Sequence, residues 1–204
     1  MNPLNSVRGT IIAGFVVAIA IIVIAGDSHM PASMPVNAVM IWLHVIAGII
    51  WIGILYYFNF VQVPALADAA ADDGGPGGAG ITKYVAPRAL FWFRWAALAT
   101  WLTGAAFLLH RGMFDDAFAL GQLTDPTNAY ALTIGIGAWL GTVMLFNVWV
   151  LIWPNQKKIL GIVEASADEI AKGKRTAFLA SRTNTMLSIP LIMSMVGAGH
   201  GFFM

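Results

Sequence analysis

Residues 10–26, 37–63, 89–109, 129–153 and 185–204 form five nearly uncharged apolar runs, each about as long as a bilayer is thick. A segment of ~20 such residues can satisfy its backbone polar groups inside hydrocarbon only as a helix. The runs therefore predict an all-α fold, an integral membrane bundle of five transmembrane helices in a single domain, 1–204. Segments 64–88 and 154–184 become loops on one side. Charged residues make up 10% of the chain, against roughly 25% in a soluble domain. The first run follows Arg8 and has the outline of a signal peptide, but its long uncharged stretch reads as a retained helix.

Orientation follows from where Lys and Arg fall. Loop 154–184 holds Lys157, Lys158, Lys172, Lys174, Arg175 and Arg182, loop 64–88 holds Lys83 and Arg88, and Arg8 precedes the first run. The two opposite loops offer Arg111 alone, against Asp27, Asp115, Asp116 and Asp125. The N-terminus is expected in the cytoplasm and the C-terminus outside. The stretch "DDGGPGGAG" (72–80) reads as a flexible linker, and 159–174 as a short helix on the cytoplasmic surface. No internal repeat stands out.

The chain contains no cysteine, which excludes disulfides, cysteine-ligated iron–sulfur clusters and covalent c-type haem. A net charge of +1 gives no basis for a nucleic-acid partner. Any metal must be held by histidine, methionine, carboxylate or backbone groups.

By this topology all four histidines lie toward the outer face. His29 falls in the first outer loop and His110 at the membrane boundary. At ~1.5 Å per residue, His44 lies roughly 10 Å below that boundary and His200 within roughly 8 Å of it. Two imidazoles at one depth on different helices suit axial ligation of a non-covalent b-type haem. Gly48 stands one turn from His44 on the same face, with Trp51 two turns away. They offer room for a porphyrin and a wall below it. Met193 lies two turns from His200, and His110 is a weaker third candidate ligand. The competing reading makes each histidine an interhelical hydrogen-bond partner and the glycines packing surfaces, as in Gly137-x-x-x-Gly141.

Other polar groups have plainer explanations. Arg94 is expected to snorkel to the headgroups. Asn59, Gln62 and Asn147 are candidates for bonds across helices. Arg182 and Asn184 read as capping and anchoring groups. Trp42, Trp92, Trp95 and Trp153 suit interfacial belts.

Three stretches, "WLHVIAGIIWIGILYYFNF" (42–60), "NVWVLIWPNQKKILG" (147–161) and "RTNTMLSIPLIMSMVGAGH" (182–200), resemble the N-terminal membrane domain of the bacterial urate hydroxylase/urate oxidase family called PuuD. The first is also similar, more distantly, to the histidine helix of copper-resistance D and HemJ-type membrane haem proteins. The resemblance implies a membrane redox module with His44 and His200 as its membrane histidines, which together with the charge asymmetry gives a multi-pass protein of the bacterial inner membrane with a periplasmic C-terminus. Full-length relatives oxidise urate and carry a cytochrome c domain. This chain stops at Met204 without a cysteine, and so reads as a stand-alone homologue needing a separate electron acceptor.

Three functions follow as expectations. The first is a b-haem electron-transfer protein or urate hydroxylase-like oxidoreductase, paired with an external cytochrome c or a membrane partner. The second is a non-catalytic accessory subunit of a larger respiratory or metalloenzyme complex, or of an oligomer. The third is copper or zinc handling by the outer histidines with Met30, Met34 and Met40.

Overall fold

The computed structural model describes residues 2–26 and 36–201, all of whose regular structure is helical. His29, Met30 and Met34 lie outside the described residues. By internal contacts the chain divides into Met1–Val39 and Met40–Met204. In the first unit a 3₁₀ turn, Pro3–Asn5, is capped by the Asn2 side chain and leads to α1, Val7–Gly26. The remaining helices are α2 (Val36–Ala71), α3 (Ala86–His110), the short α4 (Phe114–Phe118), α5 (Ala129–Ile159) and α6 (Ala167–His200).

By length and composition α1, α2 and α5 can each cross a membrane. The two other long helices carry charge inside or just ahead of their apolar stretches. Arg88 and Arg94 lie early in α3, and the first half of α6 holds Asp168, Glu169, Lys172, Lys174, Arg175 and Arg182. Helices also run beyond the apolar stretches that announce them. The expected surface helix at 159–174 is instead, from Ala167 onward, the start of α6. It opens on a capping box, in which the Ser166 hydroxyl accepts from the Glu169 amide and Glu169 accepts from the Ser166 amide. Apolarity marks the part of a helix that meets lipid, whereas capping marks where it begins.

Three π-helical turns interrupt or precede these helices: Phe58–Gln62 in α2, Ile81–Val85 before α3 and Asn147–Ile152 in α5. Each ends two residues before a proline, at Pro64, Pro87 and Pro154. A proline ring cannot donate and collides with the carbonyl four residues back. That carbonyl lies inside the π turn each time, where the wider winding accommodates the ring without ending the helix.

The fold also exposes a repeat that the sequence reading passed over. Trp51-x-Gly53-x₄-Phe58-Asn59 in α2 recurs at the same spacing as Trp139-x-Gly141-x₄-Phe146-Asn147 in α5. Both asparagines are buried and both dock on α6. Asn59 Nδ2 donates to Ser181 Oγ at 2.8 Å, and Asn147 Nδ2 to Asn184 Oδ1 at 2.8 Å. Asn184 Nδ2 in turn donates to the Met144 carbonyl at 3.0 Å. Asn184 is fully buried, so it is an interior lock rather than a cap or an anchor.

Around these contacts Trp51, Leu55, Phe58, Phe93, Met144 and Val148 form the bundle's core. The buried face of α6 is mostly small: Gly173, Ala177, Ala180, Ser188, Ser194, Gly197 and Ala198. Small residues let backbones approach without a hydrophobic drive between helices. A Cβ on Gly137 would come within 2.7 Å of Met195 Cε, and one on Gly141 within 3.6 Å of Leu191 Cδ1. The glycine pair thus packs α5 on α6, as its spacing predicts. Ser194 also donates its hydroxyl to the Thr133 carbonyl at this seam. Arg94 lies with its guanidinium 3.9 Å from the centre of the Trp153 ring, a cation–π contact.

Candidate functional site

His44 lies in the upper half of α2, half-buried against α3. Its Nδ1–H donates to the Thr100 carbonyl at 2.8 Å, while the Thr103 hydroxyl stands 3.4 Å from the same nitrogen. That hydroxyl is itself spent on the Ala99 carbonyl at 2.7 Å. Because a carbonyl can only accept, the bond fixes the tautomer, and the neutral ring keeps its lone pair on Nε2. Ligating histidines show this arrangement, the far nitrogen held by a carbonyl so that the ring cannot turn.

Gly104 makes the geometry achievable. A Cβ there would fall 2.9 Å from His44 Cε1 and 3.1 Å from Nδ1, so the imidazole occupies the space that any larger residue would need. Thr100, Thr103 and Gly104 were missed in the sequence reading. Their signal is a Thr-x-x-Thr-Gly cluster on one face of α3, six to ten residues before His110 and hence near the depth of His44.

Gly48 also faces α3, but loosely. A Cβ on it would meet only Thr100 Cγ2, at 3.8 Å. Trp51, two turns along, is 2% exposed, and its Nε1–H is without a hydrogen-bond partner. An orphaned donor in the interior costs free energy until an acceptor reaches it.

His200 is the last residue of α6, which Gly201 closes in the left-handed conformation, φ 76°. The His200 Nδ1–H donates to the Val196 carbonyl of its own helix at 2.9 Å. Its Nε2 is therefore the free nitrogen, as in His44. The ring is exposed, and Met193 below it is 38% exposed. His110 ends α3 and is exposed. Among the described residues no group of three or more His, Asp or Glu side chains converges as a metal site.

Lower in the bundle, Tyr56 Oη lies 2.9 Å from Ser188 Oγ. This contact joins the helices that carry the two histidines, twelve residues from each.

The helices and these groups define a membrane-type helical domain in which His44 and His200 each tie Nδ1 to a backbone carbonyl. Residues 32–120 and 113–204 both match the model of the family described as urate oxidase N-terminal. The matches span most of the chain, which belongs to that family. No curated protein and no solved structure matches it.

Proposed function

We propose that the chain is a five-helix b-haem redox domain of the urate hydroxylase-like type in the bacterial inner membrane, its Lys/Arg-rich loops cytoplasmic and its histidines toward the periplasm. His44 and His200 would hold the haem iron through Nε2. The observation that carries this reading is the bond from His44 Nδ1 to the Thr100 carbonyl, which leaves the Nε2 lone pair of the neutral ring for a ligand.

Each residue then has a task. Thr100 and Gly104 orient the His44 ring. The bond to Val196 orients His200. Trp51 offers an interior donor to an acceptor on the bound group, and Gly48 keeps the α2–α3 contact below His44 loose. Haem held there supplies a one-electron carrier, and its electrons would go to an external cytochrome or a membrane partner. His110 and Met193 are set at the rim of this end.

The test is a reduced-minus-oxidised optical spectrum of the purified full chain. A Soret band with sharp α and β bands in the reduced form is expected, lost on His44→Ala and on His200→Ala. A protein without a Soret band, or one that keeps it in both variants, would refute the assignment.

A further inference from the structure

At the end of the bundle opposite His44, a cavity of about 680 Å³ opens between α2, α3, α5 and α6. Its wall is graded from the mouth inward. The bond from Asn59 to Ser181 sets those two lining residues at one level. Lys174 stands seven residues before Ser181 on α6, and so ~10 Å farther out. It and Arg175 are exposed at the mouth, and neither forms an ion pair among the described residues. No described carboxylate lines the cavity. Gln62, three residues past Asn59 on α2, lies between these levels, ~4–5 Å out. It is 8% exposed, and its Oε1 is buried without a hydrogen-bond partner. A rotation about its last torsion presents either the oxygen or the NH₂ to the cavity. Farther in, Phe58, Leu90 and Phe93 are all buried, the two rings edge to face at 5.5 Å.

We propose that this cavity seats one anionic glycerophospholipid, its phosphate at Lys174 and Arg175, an ester carbonyl on the Gln62 amide and one acyl chain among Phe58, Leu90 and Phe93. Basic pockets between helices on the Lys/Arg-rich side of a membrane take such headgroups. The order of the three levels carries the choice. A free fatty carboxylate at the cations would lay methylenes against Gln62 and leave its amide unpaired. An inorganic anion would leave the apolar end unused. A glycerophospholipid spaces phosphate, ester and chain in the same order as cation, amide and aromatic wall. A zwitterionic lipid has the same ester and chain but brings its own ammonium toward the two cations. Gln62 lies eighteen residues from His44 on one helix, ~27 Å along the axis, so the lipid end and the histidine end are separate. The proposal does not rest on the haem reading.

The test is native mass spectrometry of the delipidated full chain in detergent, titrated with dioleoylphosphatidylglycerol or dioleoylphosphatidylcholine. A single phosphatidylglycerol adduct is expected, favoured over phosphatidylcholine by about tenfold or more, the scale that two cations at a membrane surface supply. Lys174→Ser with Arg175→Ser should abolish that preference. Gln62→Leu should weaken both adducts about fivefold and keep the preference, because both lipids offer the ester carbonyl. Lys157→Ser with Lys172→Ser removes two cations of the same end that do not line the cavity, and should change nothing. Helical circular dichroism and melting temperature show whether each variant is folded. His44→Ala should hold the lipid as the parent does, even where its Soret band is gone. Equal affinity of the parent for the two lipids, or equal binding in every folded variant, would overturn the proposal. So would an equal loss in the Lys157 and Lys172 pair. Displacement by an equal concentration of oleate would overturn it in favour of a fatty carboxylate, and displacement by glycerol 3-phosphate in favour of a free phosphate.

Discussion

Tyr56 on α2 and Ser188 on α6 meet hydroxyl to hydroxyl at 2.9 Å, and His44 and His200 each stand twelve residues above that contact. The helices run in opposite directions, so both intervals point to the same end. At 1.5 Å per residue each histidine lies ~18 Å above the bond. The contact acts as a common origin from which the two rings are raised equally. Ser188 donates its own proton to the Thr185 carbonyl at 2.7 Å, which makes Tyr56 the donor between the hydroxyls.

Tyr56→Phe removes that donor while keeping the ring. A hydrogen bond between membrane helices contributes about 0.6 kcal/mol, so a small loss is expected in unfolding by sodium dodecyl sulfate. Asn184→Ala should cost more, about 1–3 kcal/mol, because it strands the buried Asn147 amide and also removes the bond from Asn184 Nδ2 to the Met144 carbonyl. A smaller cost for Asn184→Ala than for Tyr56→Phe would show that the asparagine pair is not the stronger lock.

Gly104→Ala is expected to act on His44 without touching it chemically. The new methyl would meet the imidazole at 2.9 Å and drive the ring from the Thr100 carbonyl. On the haem reading, the Soret band per protein should fall nearly as far as in His44→Ala, while helical circular dichroism stays at the parent level. Retention of a full Soret band would mean that the ring orientation set by α3 is not needed for ligation.

The glycines separate by what surrounds them. Gly137→Ala meets Met195 Cε at 2.7 Å, a flexible end that can swing aside, and Ser194 Oγ at 3.1 Å, held by its bond to the Thr133 carbonyl, so a loss of about 1 kcal/mol, the low end for overpacking, is expected. Gly48→Ala meets one methyl at 3.8 Å and should leave stability unchanged or slightly raised. Unfolding midpoints of the two variants in one detergent check the contrast, and equal midpoints would contradict it.

Much of this was legible from residue type and spacing. The apolar runs located the long helices because hydrocarbon admits few other backbones, and Gly137 with Gly141 announced the α5–α6 seam. His44 was marked by its isolation in an oily run. Its partners were not, because Thr100 contributes a backbone carbonyl and Gly104 contributes the lack of a side chain. Asn184 looked like a boundary residue, since Arg182 beside it suggested headgroups. Only the docking of α5 on α6 turns it inward. The π turns were hidden for a different reason: a proline inside an apolar run signals a break, whereas the chain winds wider and continues.

The start of α6 carries a pH response outside the membrane. Glu169 is held below the usual carboxylate range by the Ser166 amide, by the Lys158 ammonium at 3.3 Å and by the Ser166 hydroxyl. A group whose pKa is lowered on folding stabilises the fold above its unfolded value, and that contribution is lost as pH falls through the lowered one. The first turn of α6 should therefore be intact at neutral pH and fray on acidification below the ordinary carboxylate range. Amide hydrogen exchange at residues 167–171, corrected for its intrinsic pH dependence, should show protection falling over that interval. Glu169→Gln should flatten the response, since the amide side chain can still accept from Ser166 but cannot titrate. A response that persists unchanged in Glu169→Gln would assign it to another carboxylate.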